Sequence, residues 1–161
     1  MVEHQSMVFS IALRLLRDRA LAEELAQDVF LQLYRKLDEL ESEDHVRFWL
    51  RRVTCHRAID EARKRKLRPK VALEAVPEPA ARNREGDFLM EAMLRKLVAG
   101  LPEKARAIVL MRYQEDLEPT EISKILNLPA GSVKSHLHRT LRLLRGKIER
   151  AGMMRREEAE V

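Results

Sequence analysis

The sequence predicts an all-α protein of two small helical domains joined by a flexible linker, and three observations carry that expectation. No stretch shows the strict apolar–polar alternation of a strand. Gly and Pro are few, 5 and 6 among 161 residues. Half of those prolines (Pro69, Pro77 and Pro79) fall within Leu67 to Asp87, where they forbid a regular helix. On both sides of that segment apolar residues recur at helical spacing.

The first repeat runs from Val2 to Arg17, with Val8, Ile11, Ala12, Leu15 and Leu16 on one face. A break at Arg17-Asp18-Arg19 precedes a stronger helix from Leu21 to about Leu37. Its core stripe is Leu21, Leu25, Ala26, Val29, Phe30, Leu33 and Leu37, and its other face shows Glu24, Gln27, Asp28, Leu31 and Arg35. Asp38 to Asp44 is an acidic connector, in which Ser42 or Asp44 is placed to cap a third helix. That helix runs to about Lys66 through Val46, Trp49, Leu50, Val53, Ala58, Ile59 and Ala62, and ends in Arg63-Lys64-Arg65-Lys66. Residues 1–66 thus form the first unit and 67–87 an exposed linker.

The second unit spans 88–150. Phe88 to Ala99 is one helix, closed by Gly100. Pro102 opens the next at its first turn, with Ala105, Ile108, Val109 and Tyr113 inward. A short helix then starts at Pro119, breaks between Asn127 and Gly131, and gives way to a basic helix, the pattern of a helix-turn-helix. Val133, Leu137, Leu141, Leu144 and Ile148 recur at core spacing, which leaves Lys134, Ser135, His138, Arg139, Arg142 and Arg145 on the outer faces. Long cationic side chains near a helix N-terminus reach guanine edges or phosphates, and free backbone N–H groups meet phosphate. Residues 151–161 have no apolar face and read as a fraying tail.

Charge is unevenly placed. Asp18 to Asp44 carries nine acids against three bases, Arg47 to Lys66 eight bases against two acids, and Ser132 to Arg150 six Lys/Arg against one acid. One acidic and two basic faces point to at least two kinds of partner. Cys55 is the only cysteine, which excludes an internal disulfide and a cysteine-rich metal site. His136 and His138 stand about 200° apart on a helix and do not share a metal easily. No Gly-rich phosphate loop, nucleophile–base set or metal spacing appears, so the sequence reads against an enzyme and calls for no cofactor. The start, Met1-Val2-Glu3-His4-Gln5, lacks the features of a signal peptide, and no apolar run reaches membrane-spanning length. A cytoplasmic location is expected.

Four stretches, in order, resemble the conserved regions of bacterial sigma factors. Leu21-Ala22-Glu23-Glu24-Leu25-Ala26-Gln27-Asp28-Val29-Phe30-Leu31-Gln32-Leu33-Tyr34 resembles region 2.2, and Phe48 to Arg63 resembles regions 2.3 and 2.4. Leu101 to Tyr113 looks like region 4.1 and Pro129 to Arg139 like region 4.2. The order, the spacing and the missing region 3 are similar to those of the extracytoplasmic-function group of the sigma-70 family. The resemblance implies an initiation factor that carries promoter specificity to core RNA polymerase. It implies that Glu24, Gln27, Asp28 and Leu31 dock on the β′ clamp helices, that the second unit meets the β flap, and that an anti-sigma factor is a candidate partner.

Promoter DNA is the other implied partner. The resemblance assigns the −10 element to Arg51, Arg52, Cys55, His56, Arg63 and Lys64, together with the 38–44 connector as a base pocket. It assigns the −35 element to Lys134, Ser135, His138 and Arg139, with Arg142 and Arg145 on phosphate. The connector is acidic where relatives often carry an aromatic and Gly, and His56 stands where Asn is usual, so an unusual −10 preference is implied. Trp49 is expected in the core, and Asp60 beside an Arg. The competing reading is a stand-alone helix-turn-helix regulator, although the first unit resembles neither a ligand-sensing nor a receiver domain.

Overall fold

The computed structural model describes residues 2–67 and 85–159, with side-chain environments for 2–67 and 90–152. The order is α1 (Val2–Leu16), α2 (Arg19–Lys36), a 3-10 turn (Leu37–Glu39), α3 (Glu43–Lys66), α4 (Glu85–Ala99), α5 (Glu103–Tyr113), α6 (Pro119–Leu126) and α7 (Ala130–Ala159). The chain is all-α, as its periodicity predicts.

In the first unit α1 packs along both α2 and α3. Arg17 ends α1 in the left-handed region at φ 55. Asp18 then caps α2 by accepting from the Leu21 N–H at 3.1 Å. The opposite end of α3 ties this corner down: Arg65 donates to the Leu16 carbonyl at 3.2 Å and to Asp18 at 3.3 Å. Ser42, rather than Asp44, caps α3, accepting from the His45 N–H at 3.2 Å. Val8, Ile11, Ala12 and Leu15 meet Ala22, Leu25 and Val29 of α2 and Leu50 and Ala58 of α3 in the core. Buried Thr54 satisfies its hydroxyl by donating to the Leu50 carbonyl at 2.7 Å.

The second unit is built around α5, whose residues Ala105 to Met111 are all buried. A helix apolar on every side belongs in an interior. Here α5 lies between α1 and α3 of the first unit and α4, α6 and α7 of its own. Fully buried Ile108 contributes about 1.5–3 kcal/mol by leaving water. The one cation in that run, Arg106, donates to the Leu15 carbonyl of α1 at 2.7 Å and to the Leu101 carbonyl at 3.0 Å. Pro119 sits at the first turn of α6, and the Glu121 carboxylate accepts from the Glu118 N–H at 2.8 Å, closing that helix start. Asn127, at φ 53, ends α6 in the left-handed region that Asn tolerates.

Several expectations need correction. Leu37 is exposed, because the chain leaves the helix for a 3-10 turn there. Tyr113 is 57% exposed: it is the last residue of α5 and stands beyond its neighbours' reach, while Ala107 and Met111 fill the core. Leu141 is also exposed, with Thr140 buried instead. Asp60 is exposed and forms no ion pair with an arginine among the described residues. Helix α7 continues through the supposed tail to Ala159, consistent with strong helix formers and no proline after Gly152. Helix α4 begins at Glu85, inside the segment read as linker, and residues 68–84 of that segment lie outside the described residues.

Glu103, at the start of α5, pairs with Lys66 of α3 at 2.5 Å. Burial pushes its carboxyl up, but the bond from Lys66, its own backbone N–H and the charges of Lys66 and Arg106 outweigh that and hold it below its ordinary 4.5. The folded chain therefore binds this proton less readily than the unfolded chain. The stabilisation is complete above about pH 4.5 and is lost as pH falls through the lowered value. Thermal unfolding of the wild type and Glu103→Gln between pH 7 and 3 checks this: the wild type should be the more stable at pH 7, and the curves should converge at the acid end.

Candidate nucleic-acid interface

Helix α6, the turn at Asn127 to Pro129 and the first half of α7 form the helix-turn-helix. Ile122, Ile125 and Leu126 of α6 pack with Val133 and Leu137 of α7. At about 100° per residue, Val133, Leu137, Thr140 and Leu144 share an arc of about 60°, and all four are buried. Lys134, Ser135, His138, Arg139, Arg142 and Arg145 share an arc of about 140° on the other side, and all six are exposed. Leu141 lies at the edge between the two arcs, which is why it is half in water. The fold thus brings together every candidate recognition residue singled out in α7. Arg139 also donates to the Ser135 carbonyl at 3.3 Å, which draws its guanidinium back along the helix. Around Gly131 the space is open to 4 Å, leaving the start of α7 clear for a close backbone approach.

The six candidates on α3 fall into two groups. Arg52, Arg63 and Lys64 are exposed. Arg51, Cys55 and His56 turn toward the second unit. Arg51 pairs with Glu115 at 3.0 Å, and the two side chains are only 17% and 14% exposed. Cys55 is wholly buried, with its Sγ 3.8 Å from Met111 Sδ. Burial, then the nearby Glu115 carboxylate, pushes its thiol up to about 12, with Arg51 opposing. His56 donates from Nε2 to the Ile125 carbonyl of α6 at 2.9 Å. These six candidates share α3 but are only partly open on the surface. Glu115, Met111 and Ile125, which cover part of them, were not singled out from the sequence. The acidic 38–44 connector contains the 3-10 turn and the cap of α3, and its charged residues are exposed.

On α2, Glu24, Gln27 and Leu31 are exposed on one face, and Asp28 accepts from Arg57 at 2.9 Å. This face borders an apolar groove between α1 and α2, lined among others by Phe9, Ala26, Phe30, Leu31 and Tyr34. Leu31 is 59% and Tyr34 78% exposed. Tyr34 and Phe9 escaped sequence reasoning, although Tyr34 stands three residues after Leu31 and four after Phe30, the spacing that puts them on one face. Trp49 packs half-buried against the core. Among the described residues no group of three or more His, Cys, Asp or Glu could hold a metal ion, and no helix is long and apolar enough to cross a membrane.

The model of sigma-70 region 2 matches residues 1–68, and that of sigma-70 region 4 matches residues 91–144. The ECF RNA polymerase sigma factor SigW of Bacillus subtilis is 26% identical over 164 residues, covering 90% of this chain and 84% of that protein. The RNA polymerase sigma-E factor of Streptomyces avermitilis is 30% identical over 160 residues, covering 97% of this chain and 89% of that protein. Among solved structures, the sigma factor RpoE of Bartonella quintana, in complex with the anti-sigma factor NepR, aligns with a TM-score of 0.72 at 17% identity, over 92% of this chain and 93% of that one. At that identity the likeness speaks for the fold alone.

His136, between the recognition residues, is half-buried. Burial, then the charges of Arg139 and Lys104, pulls its imidazole below the ordinary 6.5. The unfolded chain takes up this proton first as pH falls, so stability is complete above about pH 6.5 and declines below it. Replacement by glutamine should flatten the fall in melting temperature between pH 6.5 and 5, a window well above that of Glu103. Calorimetry across that range checks it.

Proposed function

The chain belongs to the extracytoplasmic-function branch of the sigma-70 family of RNA polymerase sigma factors, and from this we propose that it binds core RNA polymerase in the cytoplasm and directs initiation at promoters read through −10 and −35 elements. A sigma factor is not an enzyme; its role is to supply specificity to a polymerase that has the catalytic site.

One observation carries the DNA-reading part. All six polar recognition residues of α7 are exposed on one arc, while the opposite arc is buried on α5 and α6. A helix so mounted can enter a major groove with its first turns foremost. Lys134 and His138 are read as base-edge contacts, Ser135 and Arg139 as base or flanking-backbone contacts, and Arg142 and Arg145 as phosphate contacts. For the −10 element, Arg52 and Arg63 are exposed within about 20° of each other around α3 and supply a cationic track for a separated strand, with His56 between them. The polymerase-docking face is Glu24, Gln27, Asp28 and Leu31, where acid beside exposed apolar surface suits a basic protein partner. Tyr34 and the adjoining groove extend that face. The second unit is assigned to the β flap. The Bartonella relative is held by an anti-sigma factor, and a partner of that kind is proposed here as well.

Two outcomes test this reading. Charge reversal at Glu24 and Asp28 should weaken binding to core polymerase at least tenfold, about 1.4 kcal/mol, with helical circular dichroism unchanged. Equal affinity in a titration against core would remove the docking assignment. In holoenzyme binding to a set of −35 variants at two salt concentrations, Lys134→Ala should lose about 1–3 kcal/mol of discrimination at one base position. Arg145→Ala should weaken every variant alike and lower the salt slope by about one. A uniform loss for Lys134→Ala would reassign that residue to the backbone.

A further inference from the structure

The proposed docking face of α2 is held from behind by a residue of α3. Arg57 lies within about 60° of Leu50 and Thr54 around that helix, and both of those neighbours are buried. From this inward arc its guanidinium reaches Asp28, donating from Nη2 to Oδ2 at 2.9 Å. Among the described residues this is the one side-chain hydrogen bond between α2 and α3. Asp28 in turn lies within about 60° of Glu24 and Leu31 around α2. The carboxylate that Arg57 holds is therefore one of the docking set.

Arg57 is a poor choice for a purely structural bolt. A guanidinium and a carboxylate can join through two parallel bonds; here one is formed. Nη1 of Arg57 is buried with no hydrogen-bond partner among the described residues, and a buried donor left unmet lowers stability. The pair is also half open, with side-chain exposures of 36% for Arg57 and 49% for Asp28, and ion pairs that meet water contribute little to folding. What the arrangement achieves is geometric. It ties down one carboxylate oxygen of a half-exposed side chain and leaves Oδ1 without a partner among the described residues.

The guanidinium also offsets the charge of the carboxylate it holds. Long-range attraction for a basic partner then falls chiefly to Glu24, which is exposed and forms no ion pair among the described residues. Asp28 instead offers an acceptor whose position is set before contact. Ordering a side chain in advance removes that cost from binding. The gain appears in the off-rate, whereas free charge governs the on-rate.

We propose, on the docking reading of α2, that Arg57 is a positioning residue for polymerase binding: it fixes the Asp28 carboxylate so that the free oxygen accepts from a cationic or N–H donor of the partner. A residue of the helix assigned to the −10 strand thereby serves the docking of its neighbour.

The full chain is bound to immobilised core polymerase, and on- and off-rates are measured at low and high salt. Arg57→Gln should raise the off-rate about fivefold, the scale of ordering one side chain. It should raise the on-rate at low salt, because Asp28 then presents its whole charge. Arg57→Met, which keeps the packing of the stem and removes every donor, should raise the off-rate alike. Arg57→Lys should return it to within about twofold of the wild type, since a single bond needs no planar fork.

The combination with Asp28→Ala separates positioning from general support. Acting through Asp28, Arg57→Gln should add nothing to the off-rate of Asp28→Ala. A loosening of the whole unit would multiply the off-rate in both backgrounds and overturn the positioning role. So would an unchanged or slower off-rate in Arg57→Gln and Arg57→Met while Asp28→Ala is impaired. If neither Asp28→Ala nor Glu24→Arg alters binding to core, the docking reading itself falls and takes this role with it.

Discussion

Helix α1 ends at Leu16 with carbonyls that no backbone N–H of the helix can reach, and two arginines from opposite parts of the chain take them. Arg65, at the end of α3, holds the Leu16 carbonyl, and Arg106, within α5, holds that of Leu15. The first bond closes the amino-terminal unit on itself; the second seats the other unit against it. A guanidinium suits this task because its planar fork presents several donors in fixed directions. Burial pulls Arg106 below its ordinary value, with Glu103 nearby acting against that effect. The placement of α5, and with it of α6 and α7, follows from this corner.

The helices were legible because their apolar residues keep a 3.6-residue period and their ends carry ordinary signals: Asp18, Ser42, Pro119 and Asn127 each do what their chemistry allows. The exposed polar arc of α7 was legible for the same reason, since a buried stripe dictates where the other residues point. Periodicity could not reveal that α3 has two buried sides. Leu50, Thr54 and Ala58 face α1 and α2, whereas Cys55 faces α5, and a basic run reads as solvated whether or not a second unit lies on it. One clue was present. Arg106 is the only polar residue from Ala105 to Met111, and a cation in so apolar a run needs an acceptor beyond its own helix.

The charge distribution sorts into surfaces with different work. Among the described residues, the basic side chains on the outer arc of α7 face water; Arg139 bends back onto the Ser135 carbonyl, and Arg150, further along, onto that of Gly146. Those of α3 are divided between open positions and positions satisfied inside the chain. The acids of α2 stand beside apolar Leu31 and Tyr34, a mixture that suits a protein surface and repels phosphate. The surfaces proposed for docking and for DNA reading thus lie on separate helices.

The reciprocal completion of helix ends has a consequence for how such a protein can be tuned. A carbonyl released from His56 or Arg106 would be met by water, so the polar bonds across the boundary are close to balanced, and the apolar surface of α5 packed on α1 and α3 is what holds the units together. The side chains that tune that hold are those at the boundary, chiefly Cys55 and Met111 in the apolar contact and Arg51, Arg106 and Glu115 at its polar margin. Exchanging one of them changes how firmly the two units hold each other without touching the exposed arc of α7. The hold between the units and the make-up of that arc can therefore vary independently.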